Sequence, residues 1–447
     1  MSTGLTNLLL EKYIRETGMA HQHIYGYYYS AWRQELDSGM SLGPVELQEA
    51  WRSFVDEESL KLGLYGVSVI DFQLVLACNT RPEISPLEIV WDLPWSTQSW
   101  EANTAEEWWK QIVEEASTYQ GMDGRMSDRG LIVKSVFLVT QSLLSDAPPE
   151  PLLRSLSSSP FALFCVTANI YRLVRGFTHY LYQLPPNPAN PSPFHMLTHV
   201  QNSQISSALN VILGLRSADQ NVLNTYGQGD GLWDAVELVC WVTKVSLCIP
   251  DDLLISGIVD TEITAAFATA VHLSLGNQVL GRRSRNIFKK SSTFSDHGFL
   301  LIFEELMNVM NAMWGADAQK AMREAPWISV LGFRVLLDLY RVLRLAITDI
   351  HERAVLGTFS SAKSFDPAHV IYSAVKDALA IHLKNKRTLL ATRNLEQLGL
   401  LELTEDPKVF ERKFIILMIQ SCNERNVWAV GRAMAMVLEV ISTGDQS

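Results

Sequence analysis

Glu57–Cys78, EESLKLGLYGVSVIDFQLVLAC, decides the fold class. Leu60, Leu64, Val67, Ile70 and Leu74 recur every three or four positions, the spacing that lines one face of an α-helix. The chain then reaches Asn79-Thr80-Arg81-Pro82, where Pro82 restrains Arg81 to an extended conformation and ends the helix. Ser85-Pro86 starts a short helical turn, with Glu88 three residues after Ser85 as its capping-box partner. The chain leaves that turn through the extended piece Trp91-Asp92-Leu93-Pro94 and arrives at Ser99-Trp100-Glu101-Ala102.

The same helical period governs the rest of the chain. Ala105–Ala116, Gly130–Leu144, Pro160–Leu184, Asp234–Cys248, Phe299–Trp314, Ile328–Asp349, Pro367–Leu383 and Asp406–Ser421 all group apolar residues at i, i+3, i+4 and i+7. Asp366-Pro367 and Asp406-Pro407 each place a capping carboxylate before a proline at the first helical position. The reading is an all-α protein, a single large compact multi-helix domain of about fifteen to twenty helices at an average of about 12 residues each. Three local breaks punctuate it: 148–151 with the serines Ser157–Ser159, the proline-rich 185–193, and the glycine turn 227–231. No repeat of fixed period occurs, so the sequence does not support a helical solenoid. Residues 1–50 read as an N-terminal helical segment and 441–447 as a polar tail.

Composition narrows the function classes. Of the 447 residues, 47% are hydrophobic and 19% charged, far too apolar for a disordered chain. The five cysteines, Cys78, Cys165, Cys240, Cys248 and Cys422, are scattered and form no CxxC, which excludes zinc ribbons, fingers and thioredoxin-like motifs and points to a reducing compartment. The net charge is −11, and residues 1–150 alone carry −12, so that third repels nucleic-acid phosphates. The most apolar stretch, Ile328 to Ile347, carries Arg334, Asp338, Arg341 and Arg344 at helical spacing on one face, and reads as an amphipathic helix rather than a membrane span. No signal-peptide core is visible in the first twenty residues.

A search for chemistry finds few handles. GxSxG, GxxxxGK[ST], HExxH and GxGxxG are absent. Asp251-Asp252 lacks the third carboxylate of a diphosphate-binding metal motif, because Ile255 stands there, and reads as a helix start. His195 and His199 sit at i, i+4 without a third ligand nearby, and His21 and His23 lie in a tyrosine-rich helix. No catalytic, cofactor or metal residue is assigned. Arg282, Arg283, Arg285, Lys289 and Lys290 form a basic run with no acid in it, the best charge-based sign of a nuclear import signal. A second basic group is Lys384, Lys386, Arg387 and Arg393.

The stretch from Trp51 to Trp109 resembles the fungal-specific transcription factor regulatory domain, the middle homology region of fungal zinc-dependent regulators. It is most similar to the C2H2-linked branch. The resemblance rests on Asp71 in the helix, Arg81-Pro82 in the turn, Ser85 to Glu88, Leu93-Pro94, and Trp100-Glu101-Ala102. Val239 to Leu254 and Val427 to Val440 look similar to later pieces of that family, which extends the domain over 51–440. The family's basic pair before the aspartate is reduced to Lys61 beside Leu62, and neither a Zn2Cys6 cluster nor a C2H2 finger can be written on this chain.

The resemblance implies a nuclear transcription regulator that works by contacts with other regulators or coregulators, or with a small-molecule effector. Control of a metabolic or secondary-metabolite gene set would follow. No direct DNA contact, cofactor or membrane is expected. A cytoplasmic location and a helical enzyme of a fungal biosynthetic pathway are the alternatives; the second draws on seven of the twelve tryptophans lying before residue 110. A salt bridge between Asp71 and Arg81 across the helix end is expected to fix the turn.

Overall fold

The computed structural model describes residues 12, 16–17, 42–82, 84–118, 135–181, 199–219, 230–248, 253–254, 258–260, 262–274, 302–315, 324, 326–356, 366–389, 406–425 and 429–444. Among them are fourteen helices. In the first half of the chain these are α1 (Pro44–Cys78), α2 (Thr97–Trp100), α3 (Ala105–Thr118), α4 (Val136–Leu143), α5 (Glu150–Ser158), α6 (Pro160–Leu181) and α7 (His199–Asp219). They are followed by α8 (Asp230–Cys248), α9 (Ile263–Ser274), α10 (Phe303–Gly315), α11 (Pro326–Leu356), α12 (Pro367–Leu389), α13 (Pro407–Glu424) and α14 (Ala429–Gly444). The protein is all-α. The extended pairing among the described residues is one isolated antiparallel bridge between Asp92 and Ser135.

The chain forms two compact units instead of the single domain expected. The first comprises residues 1–75, 80–173 and 198–240; the second comprises 76–79, 174–197 and 241–447. The physical reason is size, since one hydrophobic core stops growing beyond about 250–300 residues. The expected boundary at residue 50 cuts through α1, and the expected tail at 441–447 begins as the last turn of α14. Helix α1 is also long and apolar enough, by length and composition, to cross a bilayer, but half of its most apolar window is buried.

Predicted start signals are realised. Asp406 Oδ1 accepts from Lys408 N at 2.9 Å with Pro407 at the first helical position, and Asp366 Oδ1 accepts from Ala368 N at 3.1 Å.

In the first unit, α1 and α3 join through a cluster of Leu47, Ala50, Phe54, Ala102, Ala105, Trp108 and Ile112. Phe54 and Trp108 meet there with ring centroids 5.2 Å apart.

In the second unit α11 is central, packing against α9, α10, α12, α13 and α14. Its Arg334, Asp338, Arg341 and Arg344 are half-buried while Phe333, Leu337, Tyr340 and Leu343 are buried, the one-sided pattern expected from the sequence. The corner between α13 and α14 is fixed by Arg425, which is buried. Its Nε donates to Glu324 Oε2 (3.0 Å), Nη1 to Ser421 O (2.9 Å) and Nη2 to Met313 O (2.7 Å), so α10 and α13 are tied by one guanidinium. Gly431 lies against this corner. A Cβ there would press on Arg425 O and come 2.7 Å from Cys422 O, both backbone atoms that cannot swing away.

Asn79 closes the α1 end of the second unit. It takes the left-handed conformation (φ 56°), which asparagine tolerates better than most residues. Its Nδ2 donates to Leu253 O and Ile258 O, both at 2.9 Å, and its Oδ1 accepts from Arg175 Nη2 at 3.0 Å. Asp260 N adds a backbone bond to Cys78 O at 3.2 Å.

Replacing Gly431 with Ala is expected to destabilise the protein by about 1–3 kcal/mol, as overpacking does. Thermal unfolding of the purified variant measures this, and an unchanged melting temperature would show that the corner gives way.

Candidate functional site

The residues of the Trp51–Trp109 stretch come together on one side of α1 in the first unit. Of the expected apolar face only Leu64 is buried; Leu60, Val67 and Leu74 are half-buried. Ile70 is 44% exposed, and the buried stripe runs instead through Phe54, Glu58, Lys61, Tyr65, Val69 and Phe72. At 3.6 residues per turn this stripe lies roughly 160° away, close to half a turn. It carries three of the helix's charges inward: Glu57, Glu58 and Lys61 are all buried.

Lys61 is fully buried. Its Nζ stands 2.6 Å from Glu58 Oε2 and 3.7 Å from Glu57 Oε1. The 2.6 Å approach lies off the line that a hydrogen bond needs, so this is an ion pair without a directed bond. The other Glu58 oxygen, Oε1, accepts from Trp95 N at 2.7 Å. One carboxylate therefore neutralises a buried cation and anchors the chain 37 residues further on. The single cation at this place in the sequence, Lys61, is thus an interior group.

Asp71 is also buried, about a third of a turn round α1 from this stripe. Its partner is Arg172 of α6, with Nη2 at 3.4 Å from Oδ2, and the same oxygen accepts from Ile84 N at 3.4 Å. The Arg172 guanidinium also donates to Ser68 Oγ (3.2 Å) and Ser68 O, and lies 5.4 Å from the centre of the Phe72 ring. The expected Asp71–Arg81 bridge is not formed. Asn79 in its left-handed conformation turns the chain before Arg81, which stands exposed beside exposed Pro82. Arg172 lay beyond sequence reasoning because it is 101 residues from Asp71.

The turn 85–88 closes as expected. Leu87 N donates to Ser85 Oγ (3.3 Å), Ser85 N to Glu88 Oε2 (3.4 Å) and Glu88 N to Ser85 O (2.9 Å). Leu93 and Pro94 are buried, and Trp91 is wholly buried with its carbonyl accepting from Tyr65 Oη at 2.7 Å. Trp100 is 39% exposed, so this motif tryptophan is only partly in the core.

After Leu93-Pro94 the chain is bolted a second time. Ser96 caps α2, its Oγ accepting from Ser99 N at 3.2 Å. The hydroxyls of Ser96 and Ser99 both donate to Glu115 Oε1 of α3, the second at 2.9 Å. Ser159 Oγ donates to Trp95 O at 3.1 Å. Leu93, Pro94, Trp95, Ser96, Glu115, Val139, Leu152, Ser155, Leu156, Ser159 and Ala162 border a shallow pocket at this point. Burial pushes the Glu115 carboxyl above its ordinary value; the two serine hydroxyls pull it down, and the Glu58 and Glu114 carboxylates push it further up.

Two buried thiols are inert by the same physics. Burial pushes Cys165 and Cys422 up to about 12, so both stay protonated. Among the described residues no group of His, Cys, Asp and Glu is arranged to hold a metal ion. Several sequence candidates lie outside the described residues: Arg282, Arg283, Arg285, Lys289 and Lys290, Arg393, Asp251 and Asp252, His195, His21 and His23. The side chains of His199, Lys386 and Arg387 lie outside them as well.

Compared with known proteins, the chain matches no family model, no curated protein and no solved structure.

Two outcomes test this geometry. Arg172→Met leaves the Asp71 carboxylate buried without its cation and is expected to cost about 3–5 kcal/mol. Arg81→Ala, at an exposed site, is expected to stay within about 0.5 kcal/mol. Comparing their urea unfolding curves decides between the two partners of Asp71.

Glu115 gives a pH signature. Its folded value is raised, so its contribution to stability is full below the unfolded carboxyl value and is lost as pH rises through the folded one. Glu115→Gln keeps an oxygen that accepts from Ser99 and removes the charge. Its melting temperature is expected to exceed that of the unaltered protein at pH 7–8, with the gap closing below about pH 4. A gap that is constant with pH would show that the carboxyl is not responsible.

Proposed function

We propose that this chain is a nuclear transcription regulator. Its helical body acts through contacts with other regulators or coregulators, or through a small-molecule effector that shifts it. The reading rests on the resemblance of Trp51–Trp109 to the fungal-specific transcription factor regulatory domain. The observation that carries it is the role of the motif residues: Asp71 holds Ile84 onto α1, Glu88 closes its own turn, and Leu93 and Pro94 are buried. A motif that works as scaffold suits a protein whose output is its surface.

Charge agrees with this reading. The acidic first third favours protein or effector contacts over phosphate contacts. Entry to the nucleus is assigned to Arg282, Arg283, Arg285, Lys289 and Lys290. The regulated genes would be a metabolic or secondary-metabolite set.

The test combines location and transcript readouts in the native host. A fluorescently tagged full chain is expected to concentrate in the nucleus. Changing Arg282, Arg283, Arg285, Lys289 and Lys290 together to Ala is expected to move it to the cytoplasm. Deleting the gene is expected to shift a limited set of transcripts. A cytoplasmic tagged protein, unchanged transcripts and the loss of one metabolite would overturn the reading in favour of an enzyme.

A further inference from the structure

We propose that the small pocket between α1, α4 and α6 in the first unit is a built hydration site. It holds one water molecule hydrogen-bonded to Asn169 Oδ1. Asn169 is 4% exposed, and its Nδ2 donates to Thr140 Oγ1 at 2.9 Å. The single proton of that hydroxyl goes to Val136 O at 2.7 Å, so Thr140 can only accept from Asn169. This fixes which way the amide points: Nδ2 faces Thr140, and Oδ1 meets no donor among the described residues. Folded proteins rarely leave a buried amide oxygen in that condition.

Asn169 itself lines the pocket, together with Tyr65, Ser68, Cys165 and Arg172 among others. There is room for about one water molecule. A buried water needs two to four polar partners. Asn169 Oδ1 accepts one of its protons. Ser68 Oγ, which accepts from Arg172 Nη1 at 3.2 Å, has its own hydroxyl proton to give to the water's lone pair.

The wall favours a neutral guest over an ion. Arg172 is already paired with Asp71, and the Tyr65 hydroxyl is engaged with Trp91 O. Held in this way, the water joins Ser68 of α1 to Asn169 of α6 and, through Thr140, to α4.

A crystal structure of the full chain, at a resolution that shows ordered solvent, is expected to place a water within hydrogen-bond distance of Asn169 Oδ1. A dry pocket with ordered walls would overturn the proposal. Thermal unfolding of Asn169→Leu gives an independent readout, with Thr140→Val as the reference for losing the amide's other bond. A water-bonded oxygen predicts that Asn169→Leu lowers the melting temperature by about 2 °C or more beyond Thr140→Val. An oxygen with no partner at all predicts a rise, because leucine then removes an unsatisfied group, and that result would count against the water.

Discussion

The first unit is organised around a buried lysine. Lys61 could not lie in the interior of α1 without the Glu58 and Glu57 carboxylates beside it, because an unpaired ammonium in that setting would be strongly destabilising. Once Glu58 is drawn inward by Lys61, its second oxygen is placed to receive Trp95 N, and the path of the chain after Leu93-Pro94 is fixed. Tyr65 on this face, and Asp71 about a third of a turn round the helix, receive the chain at Trp91 and Ile84. Three contacts from α1 thus define how residues 84–95 run. Buried pairs of this kind are weak sources of net stability, and they restrict the arrangements that a helix can adopt.

The second unit uses the same device with different residues. Arg425 brings Glu324, Ser421 and the Met313 carbonyl to one point. Asn79 uses its amide for three contacts at once, two given and one received. In each case a single planar, multivalent side chain satisfies main-chain groups that would otherwise be buried without partners. The tight approach of Gly431 to Arg425 O and Cys422 O depends on that corner being closed first.

The buried carboxylates in and next to the Trp51–Trp109 stretch are committed to structural partners. Glu58 and Asp71 each serve a cation and a backbone N–H, while Glu115 serves two serine hydroxyls. A carboxylate committed in this way is a structural acceptor. This is why the regulator reading treats the motif as the scaffold and leaves recognition to the surface.

The sequence by itself determined the helical class, most helix positions and their caps. Those features follow from local spacing and from residues a few positions apart, as at Asp406-Pro407 and Ser85 to Glu88. It misjudged which face of α1 is inside. Apolar periodicity selects the greasiest stripe, and Leu60 to Leu74 is greasier than a stripe holding Glu58 and Lys61. Only the tertiary structure could reverse that choice. The polar stripe, and Asp71 beside it, become favourable to bury once Trp95 N, Ile84 N and Arg172 arrive from 37, 13 and 101 residues away to satisfy Glu58 and Asp71. The division into two units and the partner of Asp71 were settled in the same way, by contacts between residues too far apart in sequence for any local pattern to record.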